Sequence, residues 1–294
     1  MFQVGGVTVQ VFGADGVPAC LVSSLVPFQV QYGKSDIQLR IEWVDELLPS
    51  LEDQVFDSGS VWRAYERGAG FQFDFSAPIF GSRPYKRLLV GRDFSQGTLQ
   101  LSAESFGSRP SVAPLDYPLD ELLIMHRLTQ EKAIELHSCG IVRADGVGNL
   151  FVGHSGAGKS TTTRLWTERE DVEVLSDDRI ILRREKDNAT PASHCKLRMY
   201  GTPWHGEAMY ASPNSAPLAK IFILEHGRGN VLTRLSRSRA VAELFARSFV
   251  PFHRHEYVAS SLEFLQEVVE AVPCYRYAFE PDQAAVERIL EFRD

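Results

Sequence analysis

Cysteine is scarce and unpatterned in this 294-residue chain. Cys20, Cys139, Cys195 and Cys274 lie far apart with no CxxC pair, which excludes a disulfide framework and a zinc site of closely spaced thiols. They read as small buried apolar thiols. No apolar run approaches the roughly 20 residues that span a bilayer. The start, MFQVGGVTVQ, lacks the basic end and apolar stretch of a signal peptide. Excess positive charge is missing too: 31 basic against 38 acidic residues leave a net charge of −7, which argues against broad binding to nucleic acid or anionic membranes. There is no internal repeat and no low-complexity tract. A reduced, cytoplasmic protein is expected, with no nucleic acid and no membrane among its partners.

What remains is ordinary globular material, 44% hydrophobic and 23% charged, long enough for two modest cores or one large one. The first hundred-odd residues alternate apolar with polar side chains in short runs between Gly, Asp and Ser, the pattern of half-buried strands. VTVQVFG after Gly6, DIQLRIEW from Asp36, GFQFDF from Gly70, RLLVGRDF from Arg87 and GTLQLSA from Gly97 are the examples. A helix is expected near VDELLPSLEDQV. The texture changes at Asp116. Pro118 suits the first turn of a helix whose Leu119, Leu122, Leu123 and His126 share one face. Strands AIELHSCGIV and NLFVG follow, then a helix (KSTTTRLWTER), a strand (VEVLSDD) and the strand AKIFILE. Two amphipathic helices (SRAVAELFARSF and SLEFLQEVVEAV), a last strand (YRYAFE) and a last helix capped by Asp282 complete the chain. The division expected is a β-rich region over 1–115 and an α/β domain over 116–294.

One stretch carries chemistry plainly. Gly153-His154-Ser155-Gly156-Ala157-Gly158-Lys159-Ser160 matches GxxxxGK[ST] between the strand NLFV and a helix. The four fixed positions arise by chance in a chain this long with odds on the order of 1%. Glycines let the backbone curl so that consecutive N–H groups face phosphate oxygens, and the helix adds its positive end. Lys159 would reach the β- and γ-phosphates of ATP, and the Ser160 hydroxyl would hold Mg²⁺. Gly153, Ser155, Gly156, Ala157, Gly158, Lys159, Ser160 and Thr161 are the residues expected around the nucleotide. ATP against GTP stays open, because no base-reading motif is visible.

Eighteen residues past Lys159 a strand ends in Ser176-Asp177-Asp178. Of two carboxylates beside bound phosphates, one can hold Mg²⁺ and the other can accept a proton from an attacking hydroxyl; ordinary turn-capping acids are the bland alternative. Gly201-Thr202-Pro203-Trp204-His205-Gly206-Glu207 combines backbone-fixing residues with a ring, an imidazole and a carboxylate, so His205 and Glu207 are candidate substrate contacts. A rigid structural loop with Trp204 in the core is the other reading. Glu225 is a weaker candidate. Arg228, Arg234, Arg237 and Arg239 form a basic stretch, and Arg234 in particular is a candidate grip on an acidic substrate or on the transferred phosphoryl group.

An acidic strand directly after the loop's helix resembles the C-terminal catalytic domain of HPr kinase/phosphorylase, a bacterial serine kinase similar in its core to phosphoenolpyruvate carboxykinase. The resemblance rests on His137, GHSGAGKS, Asp177-Asp178 and the turn near Gly201, over about residues 130–225. LHSCGIV, FVGHSGAGKST, VLSDDR and YGTPWHGE together look still more like the HPr-kinase-related proteins found among peptide-tailoring enzymes, lasso-peptide kinases included. This implies an α/β fold with an HPr kinase/phosphoenolpyruvate carboxykinase-like P-loop core behind a β-rich N-terminal region. It implies Asp177 as proton acceptor, Ser160 and Asp178 at Mg²⁺, and His137 near the transferred phosphate. Two departures stand out. The first part of the chain does not look like the family's N-terminal domain. Where the family has a Mg²⁺-binding glutamate before an Arg-Gly pair, this chain reads Arg198-Met199-Tyr200-Gly201.

The expected function is therefore ATP-dependent phosphoryl transfer to a hydroxyl, a serine of a protein or peptide, with ATP and Mg²⁺ as cofactors. Competing readings are a small-molecule kinase or carboxykinase-like phosphotransfer enzyme, and a non-catalytic nucleotide-sensing module. Retention of Asp177 beside Lys159 argues against the sensor, which needs no base. A homo-oligomer is left open.

Overall fold

A computed structural model describes residues 1–13, 19–107, 113–185 and 196–293. Cys195 falls outside the described residues. The chain divides into two compact units, one of Met1–Gln3 with Val7–Gln130, the other of Val4–Gly6 with the chain from Glu131 onward.

The first unit is built on an eight-stranded sheet. Its strands are β1 (Phe2–Val4), β2 (Val7–Phe12), β3 (Ile37–Val44), β4 (Asp53–Asp57), β5 (Trp62–Arg67), β6 (Gly70–Phe75), β7 (Lys86–Gly91) and β8 (Gln96–Ser102), in the order β1-β2-β3-β8-β7-β6-β5-β4. Consecutive strands from β4 to β8 pair antiparallel, while β2–β3 and β3–β8 are parallel. A one-turn helix α1 (Ala103–Phe106) and the longer α2 (Leu119–Leu128) follow. Leu119, Leu122, Leu123 and His126 of α2 are all buried, as their spacing on one face requires. The His126 ring stacks on Phe94 with centroids 4.7 Å apart and meets Phe73 edge-on at 5.1 Å. Those contacts tie α2 to the first unit, so the division falls between Gln130 and Glu131 rather than near residue 116.

The second unit contains β9 (Ala133–Val142), β10 (Gly148–Val152), α3 (Lys159–Thr167), β11 (Glu173–Ser176), β12 (Arg179–Arg184), β13 (Leu197–Tyr200), β14 (Ser215–His226), β15 (Val231–Arg234), α4 (Arg237–Phe245), β16 (Ser248–Phe249), α5 (His255–Ala271), β17 (Cys274–Phe279) and α6 (Gln283–Glu291). Its central strands β10, β14 and β17 run parallel, and near-continuous apolar sequence suits strands covered on both faces. Leu150, Val152, Ile221 and Ile223 point to one side and pack with Ala240, Leu244, Phe264 and Val268 of α4 and α5. Phe151, Phe222, Tyr275 and Tyr277 point to the other and pack with Trp166 of α3 and with Ala285, Val286 and Ile289 of α6. Burial of each such side chain stabilises the fold by about 1.5–3 kcal/mol.

Strand β9 joins the two parts of this sheet. Ala133–His137 pair with β12, whereas Ser138–Val142 pair with β10. The change of partner falls between His137 and Ser138, and β11 joins the second half from the other edge.

Three local expectations give way. The segment around VDELLPSLEDQV is not helical; it runs irregularly into β4, because Pro49 removes an N–H and clashes with the preceding turn. Asp282 stands at the start of α6, but its side chain makes no capping bond and the turn is closed by its backbone carbonyl, which accepts from Ala285 N–H at 3.1 Å. Cys20 is exposed, while Cys139 and Cys274 are buried thiols that burial pushes up to about 12. Among the described residues no helix is long and apolar enough to cross a membrane.

Candidate functional site

The glycine-rich loop leaves β10 at Val152 and enters α3 at Lys159. Gly156 and Gly158 adopt φ values of +80° and +102°, open to glycine and strained for other residues. Gly158 is doubly constrained, since an added Cβ would lie 2.6 Å from the Phe279 ring. Inside the loop, Ala157 N–H donates to the His154 carbonyl at 3.1 Å. Lys159 Nζ donates to the carbonyls of Gly153 at 3.1 Å and His154 at 3.3 Å. Burial lowers the Lys159 pKa from its usual value, and the negative charge of Asp178 is the strongest influence opposing that shift. The loop is thus a cradle closed over its own ammonium, at the start of a nine-residue helix, with Ser160 and Thr161 half-buried in the first turn.

The acid pair approaches from the other half of β9. Strand β11 ends at Ser176, β12 begins at Arg179, and the two aspartates between them wrap around the point where β9 changes partners. His137 pairs with Arg179 in register, its carbonyl accepts from Gly153 N–H at 3.3 Å, and its N–H donates to the Arg247 carbonyl at 2.8 Å. One strand residue therefore touches both the loop and the acidic turn. His137 Nε2 lies 2.8 Å from Asp178 Oδ1, and Arg179 forms an ion pair with the other oxygen of Asp178 while stacking 4.1 Å over Phe249. Burial raises the Asp178 pKa, but the His137 hydrogen bond and the nearby positive charges outweigh it, and the net shift is downward. The two carboxylates differ sharply in surroundings. Asp178 bonds to side chains and its own side chain is 23% exposed, whereas Asp177 is 1% exposed and bonds to backbone. Gly206, Ala208 and Tyr210 N–H groups donate to it at 3.0, 2.8 and 3.2 Å.

Those three amides belong to the stretch that begins GTPWHGE. Trp204 is buried, while His205 and Glu207 are exposed on the same turn. His137, Asp177 and Asp178 thus come together with the turn that carries Glu207. Arg234 does not join them. It ends β15, in register with Tyr275 and stacked 6.0 Å from that ring, on a strand separated from β10 by β17 and β14. There it lines a pocket of about 310 Å³ with Arg237 and Cys274. Arg228 and Arg239 are exposed, the latter paired with Glu243, and Glu225 pairs with Arg276 at 3.1 Å.

Sequence reading missed His226. The last residue of β14, it donates from Nε2 to the Gly156 carbonyl at 2.8 Å and so ties the loop to the end of that strand. Only its place one residue past the strand AKIFILE, parallel to β10, marks it in the sequence. Arg179 and Arg247 were missed as well.

No family model matches the chain, and no curated protein does. Among solved structures it is similar to the HPr(Ser) kinase/phosphatase from Coxiella burnetii, at 11% identity and a TM-score of 0.28, over 52% of this chain and 89% of that one. At that distance the functional reading rests on the chain's own residues.

Proposed function

We propose that this chain is an ATP-dependent kinase that moves the γ-phosphoryl group of ATP onto a hydroxyl, a serine of a protein or peptide. The observation that carries the reading is what surrounds Lys159: loop carbonyls beneath it, a helix N-terminus beside it, and the charges of Asp178 and Asp177 acting on it. An ammonium held between an anion cradle and an acid pair suits a site where phosphate charge is neutralised on one side and a hydroxyl is deprotonated on the other. In that reaction the acceptor oxygen bonds to the γ-phosphorus while the bond to the β–γ bridging oxygen breaks. ADP leaves, and the acceptor's proton passes to a carboxylate at the end of β11.

Among the described residues no three His, Cys, Asp or Glu side chains gather into a metal site. A magnesium ion carried on nucleotide phosphates needs only one or two protein ligands, and Ser160 and Asp178 are the residues to hold it. Bound there, it neutralises phosphate charge. The eight-stranded sheet is proposed to take the acceptor peptide, because β4 ends its order and, among the described residues, leaves one edge open for main-chain pairing. Slowed amide exchange over Asp53–Asp57 with added peptide supports that role, and unchanged exchange overturns it.

The test of function is γ-labelled ATP with Mg²⁺ and, side by side, a pool of serine-containing peptides, free serine and small alcohols. Labelled peptide is expected, and it should vanish in Lys159→Ala. Label in small molecules alone overturns the peptide acceptor. A chain that neither binds ATP nor labels anything overturns the kinase.

A further inference from the structure

The resemblance to HPr kinase implies that Asp177 takes the acceptor's proton. Its surroundings point elsewhere. Both of its oxygens are already occupied: Oδ1 accepts from Gly206 N–H at 3.0 Å and Tyr210 N–H at 3.2 Å, and Oδ2 accepts from Ala208 N–H at 2.8 Å. Amides of alternate residues converge on one carboxylate, so the chain from 206 to 210 is folded around it as a backbone nest. The side chain between two of the donors, Met209, is held at φ +60° although it is not glycine and is 71% exposed. A residue keeps such a conformation only where its surroundings over-determine it, and here both flanking amides end on Asp177. Gly206 is pressed against the same acid, since an added Cβ would lie 2.9 Å from Asp177 Oδ2 and 3.2 Å from Asp178 Cβ.

The rest of the loop is fastened to the same strand ends. Ser212 N–H donates to the Leu175 carbonyl at 2.8 Å, Thr202 Oγ1 donates to the Arg179 carbonyl at 2.8 Å, and Ser176 Oγ donates to the Trp204 carbonyl at 3.3 Å. What it displays outward is His205, Glu207, Met209 and Tyr210, all exposed beside the acid pair. A proton acceptor must touch the acceptor's hydroxyl. Asp177, at 1% exposure and with both oxygens turned into the backbone nest, is closed to it.

We propose that Asp177 is a positioning residue: it shapes the 206–210 turn against which the acceptor's hydroxyl is placed, and it does not take the proton. This rests on the kinase reading above. Three measurements on Asp177→Asn and Ala208→Pro test it. The second variant deletes the amide that reaches Oδ2 and leaves the carboxylate intact. The first measurement, amide exchange without substrate, should show protection lost at residue 208, whose acceptor oxygen becomes an NH2, and weakened at 206 and 210, which then donate only to a neutral carbonyl, in Asp177→Asn. The second, affinity for a fluorescent ATP analogue with Mg²⁺, should match the parent in both variants. The third, transfer from labelled ATP to a serine-peptide pool, should show the acceptor KM raised about 10-fold or more in both, with kcat within about threefold. Unchanged exchange in Asp177→Asn overturns the proposal whether or not the chain is a kinase. So does a loss of kcat on the order of 100-fold at unchanged acceptor KM in Asp177→Asn, with Ala208→Pro behaving as the parent. A parent chain that transfers nothing and binds no ATP overturns the kinase reading, and amide exchange alone then decides whether Asp177 anchors the turn.

Discussion

His137 and Asp178 meet at 2.8 Å although 41 residues separate them, because His137 is the last residue of β9 paired with β12 and Asp178 immediately precedes β12. Backbone register holds both ends of this contact. The packing of mobile side chains is not what brings them together.

That pair makes a pH prediction. The Asp178 pKa is lowered in the folded protein, so its ionised form contributes stability above the ordinary carboxylate value of 3.8, and the contribution is lost as pH falls below it. Asp178→Asn should cost about 1–3 kcal/mol at pH 7 and progressively less as the pH falls below 3.8. Urea denaturation of parent and variant at pH 7 and pH 3 measures this. A difference that stays constant between the two would show that the carboxylate's charge is not what the pair uses.

Lys159 is lowered for the opposite reason, since burial penalises its charged form. Stability should therefore rise with pH up to the ordinary lysine value of 10.5, as the penalty is relieved. Lys159→Met keeps the apolar stem and removes the charge. Its melting temperature without ligand should equal or exceed the parent's, while the rise caused by ATP with Mg²⁺ disappears. Thermal melts with and without nucleotide decide it, and a variant still stabilised by ATP would remove Lys159 from the phosphate site.

His226→Ala frees the Gly156 carbonyl, and a loop no longer tied to β14 should bind nucleotide more weakly, by about 3- to 10-fold. His226→Gln retains a donor of similar reach and should recover most of the affinity. Titration with a fluorescent ATP analogue measures both, and equal affinity in all three proteins would reduce His226 to a surface contact.

Gly158→Ala faces both a left-handed backbone and the Phe279 ring, so it should destabilise by about 1–4 kcal/mol. Adding Phe279→Leu should return the steric share and leave the backbone share. Urea melts of the single and double variants separate the two, and a single variant as stable as the parent would mean the loop can rearrange freely.

Much of this fold is legible in the residues alone. AIELHSCGIV marks β9 residue for residue, and the apolar run NLFV before the glycine-rich loop marks β10 because strands buried on both faces leave little room for polar side chains, while α3 is marked by the loop motif that precedes it. The site is visible where chemistry needs particular residue types in sequence, as in Gly153–Ser160. It is hidden where a function falls to a residue by register alone. His226 carries no local pattern, and only the pairing of β14 with β10 brings it in. Arg234 shows the converse: a basic stretch in sequence says nothing about which strand end its members reach.

The switch of partners within β9 makes the register of β12 against the rest of the sheet a matter of counting. Five residues, 133–137, register one half, and the next five, 138–142, register the other. Deleting one residue from the first half leaves the loop and β11 where they were and slides the residues before the deletion by one position against β12. The pleat then also reverses the side chains that precede the deletion, from one face of the sheet to the other. Substitutions along this strand can be absorbed by local repacking, but a change in its length cannot. Natural variation in β9 is therefore expected in residue identity and never in residue number.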